Sequence, residues 1–313
     1  MTQTTQVWHD ELERVLVTGT HRDVERETYD AIAFLNASTI KQCLRSSKSA
    51  AHAMRKPQTE STALRFGTAF HTYVLEPERL ELDIAVAPDV DRRTKSGKLE
   101  YQEFVAASEG KTVISAKEAY SIKGMLDEIK GHRIANSYMC DKSGQSELTA
   151  VVNATPPYTV EQVTEAKRNK WFLRDAFKGR LDWVTDTAIV DVKTCVDASP
   201  RGVQRSSVQF GYHVQAAFYR ELLRRATGAD KLLPFIFIFV EKEPPFGVLV
   251  VELDEMFLEI GWTQCSKAIE SVSDWMMFGH RDYAGGRKVT IECPQWLAQQ
   301  NKERTESEYS NND

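Results

Sequence analysis

The 313-residue chain has no run of about 18 apolar residues, so nothing in it reads as a membrane-spanning helix. Its opening stretch, MTQTTQVWHDELERV, is polar and acidic and lacks the apolar core of a secretory signal. The five cysteines (Cys43, Cys140, Cys195, Cys265, Cys293) are scattered, odd in number and never spaced as CxxC. That argues against zinc, iron–sulfur clusters and a disulfide framework, and makes a reducing cytoplasm the expected compartment. No internal repeat is visible. A basic surplus is missing too: 40 Lys and Arg against 45 Asp and Glu leave a net charge of −5. Nucleic-acid binders usually show the opposite balance, so any phosphate contacts must be confined to a channel. Arg168, Lys170, Lys178, Arg180, Arg201 and Arg205 are channel candidates, with dispersed solvated charge as the plainer reading.

What is present is enough apolar sequence, 42%, to bury a full core. Residues 1–30 read as a polar, partly helical segment, 31–298 as a single domain, and 299–313 as a disordered tail. A short helix over 35–44 has Asn36 or Ser38 as its N-cap. Helical spacing returns over 61–76, ended by Pro77, and over 116–137. Residues 83–115 read as irregular, with DRRTKSGKLEY an exposed loop, and 155–176 as a polar stretch. Strands are expected over 146–152, 232–240 and 247–253, with Pro244-Pro245 turning between the last two. GYHVQAAFYRELL and Met256 to Phe278 read as helices. The order predicts an α/β layer, a central mixed sheet flanked by helices.

The most informative segment is GRLDWVTDTAIVDVKT, a β-hairpin. Leu181, Trp183, Val190 and Val192 alternate onto one apolar face, leaving Arg180, Asp182, Asp191 and Lys193 on the other. With Asp186-Thr187 as the turn, Asp182 and Asp191 lie opposite each other, their Cβ atoms roughly 4.5–5.5 Å apart. Like charges so placed repel, and a divalent cation between them turns the cost into a binding site, with oxygen ligands suited to Mg²⁺ or Mn²⁺. The bland alternative is a solvated face with diagonal pairs, Arg180 to Asp191 and Asp182 to Lys193, and Asp-Thr is a weaker turn signal than Asn-Gly. Gln215 and Tyr219, four apart, share a helix face. His71 lies near an apolar stripe, where a lone histidine is more often a core residue than a ligand. Glu147 is a ligand or an edge charge.

Taken in order, RFGTAFHTYVLEPERL, SELT, GRLDWV–IVDVKT, DASPRG and GYHVQAAFY resemble the RecE (exonuclease VIII) family. These are PD-(D/E)XK nucleases carrying a QxxxY element also seen in RecB-type nuclease domains. The resemblance spans roughly residues 30 to 285. It implies that Asp182 is the leading acid, Asp191 the second acid and Lys193 the lysine of the motif, with Gln215 and Tyr219 as the QxxxY pair. His71 matches a metal-holding histidine and Glu147 an acidic position before the hairpin. The backbone carbonyl of Val192 completes the implied ligand set for Mg²⁺, for which Mn²⁺ may substitute. The family further implies a 5′-to-3′ exonuclease acting on duplex DNA ends and leaving a 3′ single strand, a ring-shaped homotetramer, and a RecT-like annealing partner. The rivals are a site-specific endonuclease on the same core and a non-catalytic DNA-binding or phage protein.

Overall fold

The strand β7 (Phe235–Glu241), sequence FIFIFVE, explains how the chain layers itself. Phe235, Phe237 and Phe239 enter one buried cluster, Ile236, Ile238 and Val240 another. A strand apolar on both faces belongs in the middle of a sheet covered on both sides. In the computed structural model, which describes residues 3–55, 61–169, 173–279 and 287–300, that is where it lies.

The main sheet also contains β1 (Gly19–His21), β4 (Gln145–Val152), β5 (Phe177–Val184), β6 (Ile189–Cys195) and β8 (Val248–Glu252). Its spatial order is β1-β4-β5-β6-β7-β8, with β6 and β7 parallel and the other neighbours antiparallel. A separate parallel pair joins β2 (Ile84–Ala87) to β3 (Thr112–Ser115).

The helices of the first half are α1 (Gln3–Val15), α2 (Arg26–Ala31), α3 (Ala37–Cys43), α4 (Ser47–Arg55), α5 (Thr62–Leu75), α6 (Leu80–Asp83), α7 (Lys95–Ala107), α8 (Ala116–Gly131) and α9 (Arg133–Met139). Then follow α10 (Val160–Asn169), α11 (Pro200–Gln209), α12 (Tyr212–Thr227) and α13 (Glu255–Phe278). Helices α3, α12 and α13 bury their apolar stripes on one face of the sheet, with Ile40, Val214, Phe218, Leu222 and Cys265 in the shared cluster. Helices α5 and α8 cover the other face through Phe66, Phe70, Ile122, Met125 and Ile129.

Two stretches differ from expectation, and the one over 83–115 also holds β2 and β3. Residues 95–107 are helical, because Thr94 accepts from the Gly97 N–H and starts a helix in a charged stretch. Residues 160–169 form α10, whose Val160, Val163 and Ala166 are buried. The N-terminal segment is partly helical, and its Leu12, Val15 and Tyr29 join Phe34, Val151 and α10 in a third apolar cluster. The expected disordered tail lies, beyond Gln300, outside the described residues. Elsewhere the local chemistry holds. Asn36 caps α3 by accepting from the Thr39 N–H, and Ser61 caps α5.

Candidate active site

The hairpin register is the expected one, with Trp183 opposite Val190 and Val184 opposite Ile189 around the Asp186-Thr187 turn. The ladder pairing then stops, and β5 and β6 part. Val192 donates its N–H to the Asp182 carboxylate (3.0 Å) and not to a backbone carbonyl of β5. On the other side of β5, its pairing with β4 skips Glu147 and Asp182, where Glu147 takes a left-handed φ of 47°. A non-glycine residue there locally distorts the strand. Leu181 consequently packs with the α12-side cluster while Trp183, Val190 and Val192 pack on the α5 side. The single apolar face expected for those four residues is thus divided at Asp182. This seam is where the polar side chains collect.

Helix α5 brings His71 to the seam. Its Nε2 lies 3.0 Å from the Val192 carbonyl and its Nδ1 3.7 Å from Asp182 Oδ2. A carbonyl can only accept, so Nε2 carries a proton and Nδ1 is the ring nitrogen that faces the carboxylates. Ligand atoms of His71, Glu147 and Asp182 all fall within 4.8 Å of one another. One neutral imidazole nitrogen, with its other nitrogen on a backbone carbonyl, and two carboxylates form a donor set that fits a divalent cation. The Val192 carbonyl, expected as a ligand, accepts from His71 Nε2 through one of its two lone pairs.

Asp191 stands beside this group but outside it. Gln215 of α12 donates to its Oδ2 (2.6 Å), and Lys193 pairs with its Oδ1. Burial, then Asp182, pushes the Asp191 carboxyl up to about 6, and burial, then Asp182, pushes Glu147 up to about 8. Burial by itself would lower Lys193, but Asp191 and Asp182 outweigh it and hold the ammonium above its ordinary value. Gln215 therefore fixes a carboxylate in this structure. Tyr219, one turn further along α12, lines the same cleft and packs close over Gly179, where a Cβ would stand 2.8 Å from its ring.

Arg180 and Lys178 are not channel residues. Arg180 faces Glu147 (3.8 Å) and donates to the Val24 carbonyl, while buried Lys178 donates to the carbonyl of Tyr29. Arg65 is paired with Glu118 (3.1 Å), and Arg205 with Asp197 (3.4 Å). Lys170 lies outside the described residues. Missed in the sequence was Lys41, which reaches the same cleft of about 520 Å³ from α3. Nothing in the pattern NASTIKQC distinguishes it from a solvated lysine.

Comparison with known proteins gives one family match, to a PDDEXK-like domain of unknown function (DUF3799), over residues 36–286. The chain belongs to the DUF3799 family. Among solved structures, one described as a candidate exonuclease from Eubacterium rectale aligns with a TM-score of 0.54 at 14% identity, covering 88% of this chain and 97% of that one. At that identity the likeness concerns the fold. No curated protein matches in sequence. The DUF3799 match and the structural likeness agree with the mixed sheet flanked by helices, so the fold is that of a PD-(D/E)XK nuclease. Such nucleases usually use divalent metals, in keeping with the clustered acidic groups. Among the described residues no helix is long and apolar enough to cross a membrane.

Proposed function

We propose that this DUF3799 protein is a Mg²⁺-dependent 5′-to-3′ exodeoxyribonuclease acting on linear duplex DNA and leaving 3′ single-stranded tails for annealing-based recombination. The observation that carries the reading is the convergence of His71, Glu147 and Asp182 beside the Asp191–Lys193–Gln215 group at one seam of the sheet. Polarity, end dependence, a homotetrameric ring and a RecT-like partner are supported by the RecE resemblance in sequence.

In this reading His71, Glu147 and Asp182 hold the cation. When bound, it would polarise the scissile phosphate and lower the pKa of its water. Lys193 orients that water and offsets the charge that develops on the phosphoryl oxygens. Asp191 holds the Lys193 ammonium in place, and Gln215 keeps Asp191 from turning away. Tyr219 supports the wall of the cleft beneath them.

The test compares linear with covalently closed circular duplex, in Mg²⁺ and in EDTA. Digestion of linear DNA only, with mononucleotides and a residual 3′-ended strand, is the expected result, abolished by EDTA. Nicking of closed circles would replace the exonuclease with an endonuclease on the same core. Binding without cleavage in either metal condition would favour a non-catalytic protein.

A further inference from the structure

Resting on the nuclease reading, the site carries one cation more than the cleavage chemistry uses. Lys41 and Lys193 line the same cleft, and Lys193 has Asp191 as its counter-charge. The Lys41 ammonium has only a backbone acceptor, the Phe210 carbonyl at 3.2 Å, and no carboxylate within ion-pair distance among the described residues. Its position is built. The stem runs over Gly211, where a Cβ would stand 3.0 Å from Lys41 Cδ and 3.4 Å from Cγ. Gly211 also has a φ of 65°, so the bare backbone serves both the entry into α12 and the passage of the lysine. Burial first, and then the Lys193 ammonium, pull Lys41 down to about 8, with Asp191 only partly offsetting them. The Lys193 ammonium thus acts on Lys41 across the cleft, while the carboxylate paired with Lys193 makes no ion pair with Lys41.

We propose that Lys41 is a positioning residue for the substrate strand, its ammonium holding a backbone phosphate adjacent to the scissile one. The cleft wall around it suits a nucleotide. Phe210 and Leu64 are about half exposed there, at 51% and 52%, and offer apolar surface beside the two cations. A DNA strand has that same pairing of charged phosphate and apolar base face.

The experiment measures binding of a fluorescein-labelled thymidine oligonucleotide to the full chain in EDTA, by anisotropy across a salt series. Lys41→Met should weaken binding about tenfold and reduce the slope of log K against log salt by about one, since one phosphate contact is lost. Lys41→Arg should restore both. Gly211→Ala, which puts a methyl group in the path of the lysine stem, should reproduce the loss where circular dichroism shows a native fold. An oligonucleotide with uncharged methylphosphonate linkages should bind Lys41→Met and the parent alike. Unchanged affinity and slope in Lys41→Met would overturn the proposal, as would weaker binding with an unchanged slope, which marks a structural lysine. A wild-type chain that binds DNA through Lys41 yet cleaves nothing would remove the nuclease reading and leave this contact standing.

Discussion

Glu147 is the residue on which the energetics of the cluster turn. It sits in a left-handed backbone conformation, faces Arg180 at 3.8 Å, and shares its surroundings with Asp182. Its carboxyl, ordinarily near 4.5, is pushed up to about 8 by burial and by that neighbour. The folded chain thus retains a proton that the unfolded chain gives up. The stability tied to this proton is fully present below pH 4.5 and is lost as pH rises through 8. In metal-free protein, Glu147→Gln should therefore raise the melting temperature, by an amount equivalent to about 1–3 kcal/mol above pH 8 and by nothing near pH 4. The same variant should bind Mn²⁺ more weakly in calorimetry. Melting curves in EDTA across that range decide it. A gain that is constant with pH would mean that Glu147 is not the strained acid described here.

The two helices that bracket the seam are placed differently, α12 by close backbone contact and α5 by side-chain packing. Helix α12, which presents Gln215 and Tyr219, lies against α13 at Gly261, where a Cβ would come within 2.3 Å of the His213 carbonyl oxygen and 3.2 Å of Ala217 Cβ. Backbone cannot yield as a side-chain tip does, so the helices must separate to admit a methyl group. Gly261→Ala should cost about 1–3 kcal/mol in urea unfolding and should lower activity through the displaced Gln215. If stability and activity were both unchanged, α12 would not be held by this crossing. On the opposite face α5 delivers His71, and its Phe66, Ala69 and Phe70 fix its height above β6.

The molecule joins a net charge of −5 to a cleft lined by Lys41 and Lys193. The proposed ring would reconcile the two, because field lines concentrate where walls of low dielectric surround the charge. If the chain assembles as proposed, light scattering should give a mass near four times 35.6 kDa, and exonuclease rate should fall steeply with salt. A stable monomer would remove the ring. The N-terminal segment belongs to this architecture. Lys167, Lys178 and Arg180 donate to the carbonyls of Asp30, Tyr29 and Val24, and through Arg180 the segment reaches Glu147.

Local chemistry was legible along the chain. Alternation and a two-residue turn fixed the register that brings Asp182 and Asp191 near each other, Asn36 announced α3, and four-residue spacing put Gln215 and Tyr219 on one face of α12. These features depend on neighbours a few residues away, where periodicity and capping act. Helices α7 and α10 were hidden because their charged exposed faces dilute the apolar stripe that would announce them. The rest had no local cause at all. Leu181 left the face of Trp183 because the strand is distorted at Glu147 and Asp182, a consequence of pairing with β4. Asp191 was held by Gln215 and Lys193 rather than grouped with Asp182, and Lys41 entered the cleft by crossing Gly211, 170 positions away. Spacing along the chain sets which residues share a face, whereas burial and the direction of a carboxylate follow from whichever distant segment packs against that face.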